Sequence, residues 1–179
     1  MKKIIVSLLI LSLSACGWHI RGSVKMPPQL TQLYVSAIDS KGALISELRQ
    51  LLKTNHIAIA DDVMTANYSL HILEETKDKR SAGVGGDALS SSYEITLKAD
   101  YEIHVKNSNQ ITKDTAIVVR SYNYNTASIN SATQEEVLLD QEMRRDLAQQ
   151  MLRRLSAVVA NPQSEQNHSD EHKNGKTAP

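Results

Sequence analysis

The middle of the chain alternates. Tyr93, Ile95, Leu97, Ala99, Tyr101, Ile103 and Val105 are apolar, and Glu94, Thr96, Lys98, Asp100, Glu102 and His104 separate them. A strict period of two predicts a long strand over 93–105 with one face on a core and the other in water. Asn107-Ser108-Asn109-Gln110 has the composition of a hairpin loop, and 111–124 follows as the antiparallel partner, richest in apolar residues at Ile117-Val118-Val119. Upstream, Tyr68, Leu70 and Ile72 alternate with Ser69 and His71 and predict a strand over 67–76. These three segments make a meander. Lys77 to Ser81 is densely charged, and Gly83, Gly85, Gly86 and Asp87 predict a flexible turn between the first two strands.

The period changes on either side. Leu44, Ile45, Leu48, Leu51 and Leu52 recur at helical spacing, so 42–54 reads as an amphipathic helix, with Asp39-Ser40 as its N-cap and Asn55 as its stop. A short strand, 33–38, precedes it and another, 56–60, follows. Strand, helix and strand at this spacing form a crossover unit with parallel strands and a right-handed connection. Near the other end Val137, Leu139, Met143, Leu147, Met151, Leu155 and Val158 form a stripe. Thr133 and Glu136 fit a capping box, which predicts one long helix over 134–160, ended by Pro162. A sheet with one apolar face and two amphipathic helices buries both stripes if both helices lie on that face. The expected fold is α+β, a two-layer sandwich. Its sheet of four to five strands is mixed and mostly antiparallel.

The ends are different. Lys2 and Lys3 precede an apolar run from Ile4 to Leu13, too short to span a bilayer, and Ser14-Ala15 leads into Cys16, the chain's only cysteine. This stretch resembles the bacterial lipobox, which implies a signal peptide over 1–15 and a lipid on Cys16. Each buried methylene contributes about 0.8 kcal/mol, so several acyl chains hold firmly where one holds marginally. Gly17, rather than Asp, follows the cysteine, and by resemblance to lipoprotein sorting this implies export to the outer membrane. Gly17, Gly22, Pro27 and Pro28 suit a tether over 16–30. Residues 31–161 are then one domain, and 162–179 a polar tail without apolar periodicity.

Charge narrows the function. Lys and Arg number 20, as do Asp and Glu, and removal of the leader takes Lys2 and Lys3 with it. No global basic field remains for nucleic acid. Catalytic signals are poor: no serine sits in a G-x-S-x-G elbow, and the glycines at 83–86 lack a P-loop lysine and a following helix. His56, His71 and His104 fall in predicted strands without a spaced partner. His168 and His172 have helical spacing but no third ligand, so no metal site is implied. Asp140 precedes Arg144 by four residues and Glu142 precedes Arg145 by three, which predicts pairs along the helix surface. Lys77, Lys79 and Arg80 are the densest cationic cluster, at the rim of a hairpin, but Glu74, Glu75 and Asp78 dilute it and favour a solvated strand end.

Cys16-Gly17-Trp18-His19-Ile20-Arg21-Gly22, the order of elements, Val119-Arg120-Ser121-Tyr122 closing the last strand and Arg153-Arg154-Leu155 in the long helix are together similar to the LPS-assembly lipoproteins of the LptE type. The resemblance covers roughly residues 1–160. It implies a non-enzymatic outer-membrane lipoprotein without a cofactor beyond the lipid on Cys16. It also implies a partner, an LPS-assembly barrel of the LptD type, which the lipoprotein plugs and helps to assemble, and lipopolysaccharide as ligand. Residues 125–133 hold no Lys or Arg, so Lys77, Lys79, Arg80 and Arg120 are the candidate LPS contacts. The alternative is an outer-membrane lipoprotein that scaffolds another complex, pilot-like, without touching LPS.

Overall fold

The computed structural model describes residues 26–84, 90–106, 108, 111–123 and 129–161. The leader, Cys16 and most of the tether lie outside these residues, as do the core of the glycine turn, the loop after Tyr122-Asn123, His168, His172 and the tail.

Strands β1 (Gln32–Ala37), β2 (Ala58–Ile59), β3 (Tyr68–Val84), β4 (Ser90–Val105) and β5 (Ile111–Asn123) form one sheet in the order β2-β1-β3-β4-β5. β1 pairs in parallel with both β2 and β3, and β3-β4-β5 are antiparallel neighbours. Helices α1 (Ala43–Thr54) and α2 (Ile129–Ala160) cover one face. The fold is the mixed-sheet, two-helix α+β sandwich that the patterning predicts.

The core is aliphatic because the chain has no Phe. Leu44, Ile45, Leu48 and Leu52 of α1 meet Met143, Leu147, Met151 and Leu155 of α2 over Leu33, Leu70, Ile95, Leu97 and Ile103 of the sheet, all buried. Each such side chain contributes about 1.5–3 kcal/mol when fully buried.

Several boundaries move for local reasons. The N-cap of α1 is Gly42, not Asp39-Ser40. Asp39 instead accepts from the Lys41 N–H at 3.1 Å, and a Cβ on Gly42 would lie 2.9 Å from Asp39 Oδ2, so the turn wants a glycine there. Asn55 does stop α1, and its Nδ2 donates to Leu51 O at 2.8 Å. The next residue, His56, turns the chain with φ 58, so it precedes β2 rather than belonging to it. α2 begins at Ile129, which places Thr133 inside the helix rather than at its cap. Val137 is exposed, although the stripe includes it, because Glu136 and Asp140 take the sheet-facing positions at this end of α2.

The largest departure is β3. It runs on to Val84, so the charged segment from Lys77 to Ser81 is strand and not a rim. Register slips between Ile72 and Glu74: Ile72 faces Tyr101, but Glu74, not Leu73, faces Asp100. Leu73 is the extra residue of a β-bulge. Beyond it Glu75, Lys77 and Lys79 take the helix-side face that Leu70 and Ile72 hold before it.

Candidate functional site

Two polar clusters remain once the core is assigned, one on each face of the sheet. The first lies between α2 and the extended end of the β3-β4-β5 ribbon. The bulge turns Lys77 and Lys79 beneath α2, where Glu136 and Asp140 stand four residues apart on one helix face. Lys77 Nζ lies 3.1 Å from Glu136 and 2.9 Å from Asp140, and Lys79 Nζ lies 2.7 Å from Glu136. Arg144, one turn on, pairs with Glu75 at 2.8 Å and more loosely with Asp140 at 3.8 Å. Tyr93 and Tyr122, directly opposite on β4 and β5, stack with centroids 5.9 Å apart. Lys79 sits over both rings, 4.6 and 5.3 Å from their centroids, and the Tyr122 hydroxyl donates to Glu136 at 2.8 Å.

Glu136 therefore receives three donors. The Lys79 hydrogen bond above all, with help from Tyr122 and Lys77 and against partial burial, holds its carboxyl down at about 2. Burial works against the charge on Lys79, but hydrogen bonds with Glu136 and Tyr122 overcome it and raise the ammonium well above its ordinary range. Lys77 is raised too, its burial outweighed by Asp140 and Glu136. Both lysines are thus committed to holding the helix on the ribbon.

Arg80 is not with them. It points to the opposite face, its side chain 70% exposed, and pairs with Glu94 at 2.6 Å. Arg120 lies on the helix side of β5 and pairs with Asp146. The sequence cluster Lys77-Lys79-Arg80 is therefore split across the sheet, and Arg120 shares the helix-side face with Lys77 and Lys79, in register with Lys79 across Ile95, but has its own acid partner.

The second cluster crosses the outer face. Ser36, His71, Glu102 and Lys113 are successive register partners on β1, β3, β4 and β5. Ser36 Oγ lies 2.6 Å from His71 Nδ1, Ser69 Oγ lies 2.9 Å from His71 Nε2, and Glu102 accepts from Lys113 at 2.7 Å and meets His104 Nε2 at 3.0 Å. The rings of His71 and His104 meet edge-on, 4.8 Å between centroids. Burial and then the neighbouring His104 lower the His71 pKa, and Glu102 opposes this. The two histidines, unpaired in the sequence reading, are thus partners, and His56 is outside any strand. Among the described residues no group of three or more His, Cys, Asp or Glu could hold a metal.

The helix pairs also change. Arg145 reaches Glu47 on α1 at 2.9 Å rather than Glu142, and Arg154 reaches Asp114 on β5 at 2.8 Å. These partners are far apart in sequence. For the Lys77 and Lys79 network the one sequence signal was complementary spacing, lysines two apart on a strand and the acids Glu136 and Asp140 four apart on a helix.

Comparison with known proteins fits this architecture. The family described as LptE, Lipopolysaccharide-assembly, matches residues 30–155. The chain belongs to this LptE family. The LPS-assembly lipoprotein LptE of Yersinia enterocolitica is 25% identical over 158 residues, covering 88% of this chain and 76% of that protein. The LptE of Pectobacterium atrosepticum is 26% identical over 156 residues, covering 87% and 84%. The fold also matches the crystal structure of the rare lipoprotein B from Shewanella oneidensis, with TM-score 0.66 and 20% identity over 73% of this chain and 98% of that one. The solution structure of a lipoprotein B from Nitrosomonas europaea gives TM-score 0.61 and 19% identity over 85% and 97%.

Proposed function

We propose that this chain is an outer-membrane lipoprotein, anchored through Cys16, that plugs an LptD-type barrel, supports its assembly and binds LPS on its way to the cell surface. The observation that carries this reading is membership of the LptE family across the folded domain. The geometry is compatible with it. A water-filled lumen favours a polar plug, and the outer face of β4 presents Glu94, Thr96, Lys98, Asp100, Glu102 and His104. The role is non-enzymatic.

The cationic candidates do not contribute equally to LPS binding in this reading. Lys77 and Lys79 are held by Glu136 and Asp140. Arg80 and Arg120 are more exposed and each has a single acid partner, so their guanidinium groups can turn to phosphate. Reversing all four charges would confuse binding with folding. The test is Arg80→Glu with Arg120→Glu, measured for LPS binding and barrel co-purification at low and moderate salt. A fall in LPS binding of about tenfold, with co-purification and thermal midpoint kept, supports the reading. Unchanged LPS binding removes these arginines from it. Failure of the wild-type chain to co-purify with a barrel removes the plug.

A further inference from the structure

One strand of the sheet outruns its neighbour. β1 ends at Ala37, and the Ile38 N–H, which donates to Ile72 O at 3.2 Å, makes the last bond between β1 and β3. β3 then runs on to Val84 with β4 on its far side. Among the described residues, no strand pairs with its near edge beyond Ile72, and no side chain bonds a backbone atom from Glu74 to Arg80. Backbone groups along such an edge are a template for one more strand. From Glu74 to Arg80 the template is about 23 Å long, at about 3.3 Å per residue.

Each face of this edge adds a requirement. At its start, a recess of about 460 Å³ is walled by Ile38, Leu44, Ile45 and Leu73 and by Lys77 and Arg144. Ile38 is 84% exposed and Leu73 36%, so apolar surface lies open there. On the outer face Glu74, Thr76 and Asp78 stand opposite Asp100, Lys98 and Thr96. Glu74 and Asp78 are exposed, and neither has a cationic partner among the described residues. Lys98, across the ladder between them, is taken by Asp100 at 2.7 Å.

We propose that the open edge of β3 takes up one extended, basic segment of a protein partner, which continues the sheet where β1 leaves it. In the proposed function that partner is the barrel, so the inference rests on that reading and gives the plug a docking site. Side chains of an added strand alternate between the faces. Those opposite Glu74 and Asp78 share the outer face, so cations four residues apart answer the two free acids. Opposite charges across neighbouring strands stabilise the pairing, and like charges oppose it. The residue opposite Glu75 points to the helix side, where the recess takes a large apolar side chain. A second copy of this chain suits the edge less well. Its Lys77, Lys79 and Arg80 are already paired and bring no free cation.

Strand addition is also compatible with a domain that fills a lumen. The added segment lies in the plane of the sheet, so α1 and α2 keep their face and the outer face of β4 stays open to water. Main-chain hydrogen bonds supply affinity in this mode, and the flanking side chains supply the choice of segment.

The test uses the full mature chain in detergent and a capped peptide, Thr-Lys-Leu-Thr-Val-Lys-Thr, offered in forward and reversed order. The tighter of the two should shift the backbone amides from Leu73 to Arg80 in NMR and leave those of β5 in place. Replacing both peptide lysines by Glu should weaken binding at least about tenfold. Glu74→Lys with Asp78→Lys should accept the acidic peptide and reject the basic one, with the thermal midpoint unchanged because both residues are exposed. Methyl groups on alternate peptide amides separate strand pairing from charge alone. One alternating set should abolish binding and the other should not, since only every second amide of an edge strand faces its neighbour. Equal effects of the two sets, or charge reversals that leave both peptides unaffected, overturn the proposal. So does a chain that dimerises through this edge, or one whose peptide affinity rises at least about tenfold on truncation after Pro162, which would assign the edge to its own tail. In membrane extracts the double variant should recover far less barrel than the wild type, and equal recovery overturns the barrel as occupant. Peptide binding that passes every test while the wild type recovers no barrel supports the edge site and removes the plug alone.

Discussion

Gln150 on α2 holds both backbone polar atoms of Ile117 on the edge strand β5. Its Oε1 accepts from the Ile117 N–H at 3.3 Å and its Nε2 donates to the Ile117 carbonyl at 3.1 Å. An edge strand offers unpaired backbone groups to any passing strand. Here the helix side chain imitates a neighbouring strand for one residue. Asp114 does the same for the Thr115 N–H, and Arg120 donates to the Val119 carbonyl.

Gln150→Ala should therefore open the centre of this edge. Two backbone groups would turn to water, so the loss of stability should be small, about 1 kcal/mol. The larger effect should be self-association, since exposed Ile117 and Val119 flank the freed site. Light scattering during slow heating would show it. A variant as monodisperse as the wild type would mean that Asp114 and Arg120 suffice.

Glu136 anchors the ribbon to α2, so Glu136→Gln should cost about 1–2 kcal/mol in urea unfolding. The wild type should also depend on pH in a defined window. The carboxyl is depressed from 4.5 to about 2, so its stabilisation is complete above the unfolded value and is lost as pH falls from about 4.5 to about 2. The variant should lack that share of the acid slope. Identical slopes for both proteins would show that the network is not coupled to folding.

His71 behaves in the opposite sense to a salt-bridged histidine. Folding lowers its pKa below 6.5, so the folded state binds fewer protons than the unfolded one, and this contribution to stability declines as pH falls below 6.5. Ring proton shifts followed by NMR should show His71 titrating below 6.5. His104→Gln removes the second cause of the shift and should raise the His71 value part of the way, leaving the burial share. No change would assign the whole shift to burial.

The sequence made some of this visible and hid the rest for physical reasons. β4 was legible from Tyr93 to Val105, because one strand with one buried face needs only its own alternation, while Ser90 to Ser92 at its start have no apolar alternation to show. The stripe of α2 was legible from Met143 onward, where it meets the aliphatic core. It misled at Val137, because there the helix meets lysines and its sheet-facing residues are acids. The charged end of β3 was hidden for the matching reason: a strand whose buried face is ionic has no apolar period to find. Arg145 and Glu47, Arg144 and Glu75, and Gln150 and Ile117 are brought together by topology alone. The candidate cations were found as residues but not as a site, since neighbours in sequence on a strand point to opposite faces.

The bulge at Leu73 has a consequence for chain length. From Tyr68 to Ser81 every residue of β3 already has the partner that unbroken alternation would give if Leu73 were absent. Leu73 is thus the one position in this stretch whose removal leaves every facing intact. Removing Thr76 instead would turn Lys77 and Lys79 to the outer face and bring Asp78 and Arg80 under α2, opposite Glu136 and Asp140. The Leu73 deletion should fold with its helix seam preserved, and the Thr76 deletion should lose the protection of amides in the N-terminal half of α2 from hydrogen exchange. Two deletions three residues apart would thus separate a strand that counts residues from one that merely tolerates them.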